Sequence, residues 1–344
     1  MTPPTMPGGW MATVRRREYD EDDVRVRPGR GSRPRTRIRP RHADAAAGFV
    51  VGVDRGRYTC VLADGGRVTA MRARELGRKS VVVGDRVAVV GDVTGAAGTL
   101  ARIVRIEPRT SVLRRTADDD DATERVVVAN ADQLVIVSSL QDPPPRTGFV
   151  DRCLVAAYDA GIEPLLCLTK ADLPGADTAL AELSEYYADL DLARVLTRPD
   201  RPLTELTDRL AGTLSVLVGH SGVGKSTLVN RLVPGADRAV GVVSAIGKGR
   251  HTSTSVVALP LADGWLVDTP GIRSFGLAHV SAESLLAGFG DLAEGAADCP
   301  PGCTHDADAA DCGVSAMVAA GRASARRLAS YRRLLASRSG AVPE

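Results

Sequence analysis

The chain is 344 residues long, 44% hydrophobic and 25% charged, with a formal net charge of +2. That much apolar material can fill the cores of two or three domains without disulfides, and no run comes near the roughly 18 apolar residues that cross a membrane. A helical membrane protein and a disulfide-held scaffold are thereby excluded, and with no apolar leader at the N-terminus a cytoplasmic location is expected.

Charge gathers at the ends. Residues 1–41 carry eleven Arg against five acidic residues, and Arg322, Arg326, Arg327, Arg332, Arg333 and Arg338 recur near the C-terminus. Both ends are expected to touch a polyanion, although either one alone also reads as solvated surface charge. Residues 1–47, rich in Pro, Gly and Arg and without periodicity, form a basic extension expected to be disordered until bound.

From 48 to 113 short Val-rich runs alternate with turn signals. Residues 49–53, 58–62, 81–83, 86–90 and 100–106 read as strands, with Asp64-Gly65-Gly66 as a hairpin turn. Five short strands suit a small closed barrel, OB-fold or SH3-like. The acidic run from Asp118 to Asp121 marks a linker over 114–124. Residues 125–280 then alternate apolar runs (134–137, 165–168, 214–218, 265–267) with helical stretches (151–160, 179–188, 225–232). This alternation predicts a mostly parallel sheet with helices on both faces. Residues 281–344 read as helical, with 314–336 as one amphipathic helix.

The chemistry lies in the alternating region. Gly219-His220-Ser221-Gly222-Val223-Gly224-Lys225-Ser226 fits G-x-x-x-x-G-K-S/T between an apolar strand and a helix. Its glycines let backbone N–H groups turn inward onto phosphates. Lys225 is expected at the β- and γ-phosphates and the Ser226 hydroxyl at Mg2+. Thr169-Lys170-Ala171-Asp172 resembles the guanine-reading N-K-x-D motif. A carboxylate at Asp172 can accept from guanine N1–H and the 2-amino group, a pair that adenine does not offer. Thr169, shorter than Asn, is not expected to tie this loop to the glycine loop. Asp268-Thr269-Pro270-Gly271 has the form D-x-x-G, with Asp268 holding Mg2+ through water and the Gly271 N–H sensing the γ-phosphate.

Residues 247–254, Gly-rich and Thr-containing, suit a loop ordered by the γ-phosphate, with Thr252 the first choice and Thr254 the second for a Mg2+ ligand. Ile272 follows D-x-x-G, where Gln would orient the attacking water. A partner or His251 is therefore the candidate for that role, with His251 counted alongside Lys225 and Thr252 as catalytic residues. The motifs run 169–172, 219–226, 247–254, 268–271, with the base-reading loop first. That order is a circular permutation of the ordinary GTPase order, and it leaves the D-x-x-G segment joined directly to the C-terminal region.

Cys299, Cys303, His305 and Cys312 offer three thiolates and an imidazole within fourteen residues. This set suits a closed tetrahedral zinc site, with a disulfide or reduced thiols as alternatives. Cys60, Cys153 and Cys167 lie singly in apolar runs and read as core.

Taken together, these residues resemble the ribosome small-subunit-dependent GTPase A family, the circularly permuted bacterial GTPases, over about residues 48–338. The resemblance implies a multidomain α/β protein: an OB-fold barrel, a circularly permuted P-loop GTPase domain and a C-terminal helical zinc-binding domain. It implies that the two outer domains contact the small ribosomal subunit and its rRNA. It also implies hydrolysis of GTP to GDP, stimulated by that subunit during its late maturation. By the same resemblance the guanine residues fall at Thr169, Lys170 and Asp172, with Ala171 between them, and the phosphate loop runs from Gly219 through Thr227. The zinc ligands fall at Cys299, Cys303, His305 and Cys312. One structural Zn2+, Mg2+ with the nucleotide, and a monomer are expected. No Ser-Ala guanine-supporting motif is visible near Leu196-Thr197-Arg198. The rival readings are a P-loop kinase or ATPase without a ribosome role, and an RNA-binding module that uses nucleotide only structurally.

Overall fold

The computed structural model describes residues 42–77, 80–116, 125–236, 256–269 and 276–338. The basic extension up to residue 41, the acidic run and residues 247–254 lie outside them.

Five strands form the first body: β1 (Ala46–Asp54), β2 (Arg57–Leu62), β3 (Arg67–Arg72), β4 (Arg86–Gly91) and β5 (Ala101–Ile106). They pair in the order β1-β2-β3-β5-β4, and β4 returns to β1, which closes the barrel. That closed order is the OB-fold's and not the SH3-like alternative. Val50, Cys60, Val68, Ala70, Val87, Val89 and Ile103 fill it.

One expected strand is corrected. Residues 81–83 form no strand of the barrel, and β3 takes that place. Val81 and Val83 are buried, but the backbone is used otherwise. The Val82 N–H donates to the buried Asp85 carboxylate at 2.8 Å, and the Val83 carbonyl accepts from Ala129. β3 was missed because its Arg and Thr positions face outward and only Val68 and Ala70 point in.

Strands β6 (Val112–Arg115) and β7 (Arg125–Ala129) form a separate antiparallel pair, so Arg114 and Arg115 of the expected linker lie in a strand. The second body is a six-stranded sheet. Its strands are β8 (Gln133–Ser139), β9 (Glu163–Thr169), β10 (Ala193–Leu196), β11 (Thr213–Gly219), β12 (Val257–Pro260) and β13 (Gly264–Asp268). The order is β10-β9-β8-β11-β13-β12, parallel except for β12, which also meets β1 of the barrel at Gly52↔Val257.

Period-two alternation sorts the sheet's two faces. Leu134, Ile136, Leu166, Leu168, Val216 and Val218 point to one side, under α1 (Thr147–Asp159) and α2 (Ala176–Tyr186). Val135, Val137, Leu165, Cys167 and Leu217 point to the other, under α3 (Thr204–Leu210) and α4 (Lys225–Leu232).

The C-terminal helices α5 (Ala282–Ala287), α6 (Gly290–Ala293), α7 (Gly313–Ala319) and α8 (Ala325–Arg338) share the α1 face. The single helix expected over 314–336 is two. Gly321, at φ 72°, reverses the chain between α7 and α8, and the Arg322 N–H returns to the Met317 carbonyl at 3.1 Å. The expected basic stripe is also thinner than its sequence. Arg322, Arg326 and Arg333 are exposed, but Arg327 is buried, and Arg332 is engaged by the His305 carbonyl and the Ser315 hydroxyl.

Candidate nucleotide site and metal centre

The motif residues meet at the carboxyl ends of the parallel strands, where open α/β sheets leave their crevice. β11 ends at Gly219, and the 219–226 loop leads straight into α4 at Lys225. Glycine is required by geometry at three positions of the loop, Gly222 among them at φ 82°. A Cβ on Gly219 would sit 2.7 Å from the Val137 carbonyl oxygen, and Gly224 turns at φ 89°. Ser226 and Thr227 are exposed on the first turn of α4, where free N–H groups and the helix dipole favour an anion.

Lys225 and Asp268 come together from β11–α4 and the end of β13. The Lys225 ammonium donates to the Asp268 carboxylate at 2.6 Å and to the Thr269 carbonyl at 3.3 Å. Thr269 is buried and donates to the Leu217 carbonyl at 2.6 Å, which pins this corner to β11. Gly271, Ile272, His251, Thr252 and Thr254 lie outside the described residues.

The 169–172 loop leaves β9 beside this corner. Here the expectation for Thr169 is overturned. Its hydroxyl is buried and donates to the Val223 carbonyl at 2.6 Å, tying the two loops together directly. The short side chain suffices because the glycine loop passes beside the end of β9, where even a Cβ on Gly224 would be in ordinary contact with Thr169 Oγ1 at 3.6 Å. Lys170, at φ 56°, donates to the Asp142 carbonyl in the loop after β8. Asp172 is exposed at the rim.

The segment without a recognised motif, Leu196-Thr197-Arg198, follows β10 into the same rim. The Thr197 N–H and hydroxyl both donate to Leu168, and the Thr197 carbonyl accepts from Ala171 at 3.5 Å. Arg198 pairs there with Asp200 at 2.9 Å. This third wall was not legible because β10, which delivers it, is a four-residue edge strand.

His220 faces the helix side of its loop. Its ring centroid lies 4.1 Å from that of Phe149 on α1, and burial, then the Arg146 charge, push its pKa below the ordinary value.

Beyond the D-x-x-G segment, the donor atoms of Cys299, Cys303, His305 and Cys312 all lie within 4.8 Å of one another. His305 Nδ1 is 3.5 Å from the Cys299 and Cys303 sulfurs and 3.7 Å from that of Cys312. A tetrahedral zinc with ordinary Zn–S and Zn–N bonds sets that edge at about 3.6 Å. The residues therefore fit the metal in donor type, number and spacing. The Gly313 N–H donates to Cys299 Sγ at 3.1 Å, an outer-shell contact suited to a thiolate. Although burial opposes it, hydrogen bonds with His305 and Ser315 bring the Cys312 thiol down to about 6. Cys60 and Cys167, by contrast, are pushed up to about 12 by burial, in keeping with core positions.

The model of the family described as RsgA GTPase matches residues 106–278. A small ribosomal subunit biogenesis GTPase RsgA of Ectopseudomonas mendocina is 43% identical over 242 residues, covering 68% of this chain and 69% of the relative. Its counterpart in Bordetella pertussis is 38% identical over 312 residues, covering 88% and 99%. Among solved structures, YjeQ from Thermotoga maritima superposes with a TM-score of 0.67 at 27% identity, over 86% of this chain and 99% of that one. YloQ, described as a circularly permuted GTPase, shares the fold at a TM-score of 0.66 and 23% identity, over 88% and 98%. These matches set aside the kinase and ATPase reading. With its base-side loop preceding its glycine loop on one sheet, the chain belongs to the RsgA family of circularly permuted GTPases.

Proposed function

We propose that the chain serves the biogenesis of the small ribosomal subunit, binding GTP at the carboxyl ends of β8, β9, β11 and β13 and hydrolysing it to GDP. The observation that carries the site is the 2.6 Å bond from Thr169 to Val223, which fixes a base-side loop and a phosphate-side loop at one crevice. The N–H groups of 219–227 hold the phosphates, and Lys225 reaches the β- and γ-phosphates. Ser226, Asp268 and Thr252 hold Mg2+, which supplies charge neutralisation at the transferred phosphate. Asp172, with Lys170 along the base, selects guanine, and Thr197 backs this wall. His251 orients the attacking water, and Gly271 reports the γ-phosphate. One structural zinc sits in the Cys3His set and staples α5–α8.

The domain reading is a basic extension to 47, the barrel over 48–113, a linker over 114–124, the GTPase domain over 125–280 and the zinc domain over 281–344, with β1 starting at Ala46 and β6 running on to Arg115 across two of those bounds. The rRNA contact is electrostatic. Exposed Arg57 and Arg102 flank Met71 across β2, β3 and β5, and Arg322, Arg326 and Arg333 line the C-terminal face. Binding to purified subunits should therefore weaken steeply with salt. A cytoplasmic monomer fits reduced thiols and a ribosomal partner, and no helix among the described residues is long and apolar enough to cross a membrane.

The deciding experiment is GTP turnover with and without purified small subunits, with ATP as control. Stimulation confined to GTP is expected; equal turnover of both nucleotides, indifferent to subunits, overturns the reading. Asp172→Asn should lower GTP affinity by an order of magnitude or more and shift preference to xanthosine nucleotides, measured by competition binding.

A further inference from the structure

Helix α1 touches the glycine loop directly and is linked to the Cys3His set through α8. At its first turn the buried Phe149 ring packs on His220, the second residue of the glycine loop. Two residues on, Asp151 is 1% exposed and accepts four hydrogen bonds. They come from Arg327 at 2.7 Å, Ser330 at 2.5 Å, Tyr186 at 3.0 Å and Tyr187 at 3.1 Å. Arg327 also grips Asp291 through two nitrogens at 3.0 Å and lies 4.3 Å over the Phe289 ring. Arg327 and Ser330 belong to α8, and the same helix sends Arg332 to the His305 carbonyl at 3.1 Å and to the Ser315 hydroxyl at 2.7 Å. A continuous line of directional contacts thus runs from the Cys3His set through α8 and α1 to the glycine loop.

We propose that α1 is a strut through which the Cys3His centre and the glycine loop set each other's stability, with Phe149, His220, Asp151 and Arg327 as its positioning residues. The proposal rests on the reading above that these two sites hold zinc and nucleotide. Its physical basis is that the α8 joint cannot slip. Turning α8 against α1 would strip Asp151 and Arg327 of their partners inside a dry core, and an unpaired buried charge is strongly disfavoured. A disturbance at His305 therefore moves α1 or is resisted by it. At the other end, phosphate-binding amides tolerate only small displacements, so a shift of Phe149 against His220 is felt as lost affinity. By linkage the coupling acts equally in both directions.

The test uses the full chain, zinc-loaded and after chelation, with zinc content measured and GDP affinity determined by calorimetry in Mg2+. Removing zinc should weaken GDP binding about fivefold or more, and saturating GDP should slow zinc release to a chelator by a similar factor. Phe149→Leu keeps an apolar side chain but removes the ring contact, and should bind GDP equally with and without zinc. A wild-type affinity unchanged by chelation overturns the strut alone. So does a Phe149→Leu variant that keeps the full zinc dependence, because chelation would then act by general unfolding. Zinc-loaded protein that binds no GDP overturns the site reading and the strut with it.

Discussion

Two ion pairs of nearly equal length mark opposite regions of the protein. Lys225 and Asp268 meet at 2.6 Å with side chains 14% and 24% exposed, whereas Arg327 and Asp151 meet at 2.7 Å with side chains 1% and 0% exposed. Distance does not distinguish them; surroundings do. The first pair stands at a crevice where water, phosphate or a cation can replace either partner at modest cost. The second is enclosed by tyrosines, a serine and a second carboxylate, so it is kept for as long as the fold exists. An open pair is suited to exchange partners during a reaction, and a closed one to hold the parts that must not move.

The largest expected effect breaks the closed pair. Asp151→Ala leaves Arg327 with an unpaired nitrogen and takes the acceptor from the Ser330 and Tyr186 hydroxyls, while Tyr187 keeps the Thr147 carbonyl at 3.3 Å; it should cost about 3–5 kcal/mol in chemical denaturation. Asp268→Ala, the matching change at the open pair, should cost about 1 kcal/mol or less. Equal losses would erase the distinction between the two regions. Lys225→Ala should sharpen it, with a nearly unchanged melting temperature and GTP hydrolysis abolished, read from a thermal melt and a turnover assay on the same preparation.

The contrast also explains what could be read from sequence. The glycine loop, Thr169 to Asp172, Asp268 and the Cys3His set are short motifs whose chemistry fixes their spacing, so they were visible before any fold. Asp151 and Arg327 are 176 residues apart, and each stands beside another charged residue, Arg152 and Arg326, on an amphipathic helix. In sequence Arg327 is one more Arg in a basic stripe; only the packing of α8 on α1, with Asp291 of α6 set against α8, reveals it as core. The barrel was legible as a class, but β3 was displaced by the Val run at 81–83, because apolar content marks burial and not pairing. Thr169 was misjudged because side-chain length was weighed without the closeness of the Val223 carbonyl, which only the fold brings within reach.

An intermediate effect concerns the bond between the two loops. Thr169→Val keeps the volume and removes the hydroxyl, leaving the Val223 carbonyl without its 2.6 Å partner. A buried acceptor left unsatisfied costs about 1–3 kcal/mol. Since this bond holds the nucleotide crevice and not the core, most of that should appear as weaker GDP binding in calorimetry, with little change in melting temperature. A drop in stability with GDP affinity intact would move Thr169 from the open region to the closed one.

The smallest effect lies between the regions, at His220. Its ring packs against Phe149, and burial together with Arg146 holds its pKa below the ordinary value. The folded protein therefore favours the neutral ring, and the unfolded chain binds a proton first as pH falls. The stability contributed by neutral His220 is complete above its unfolded pKa of about 6.5 and declines as pH drops from there through the folded value. His220→Gln removes the titration and keeps a polar side chain of similar reach. Denaturation at pH 8 and pH 5.5 should show the wild type losing more stability across the interval than the variant. Equal losses would mean that the ring takes up its proton in place, and that the Phe149 contact tolerates the charge.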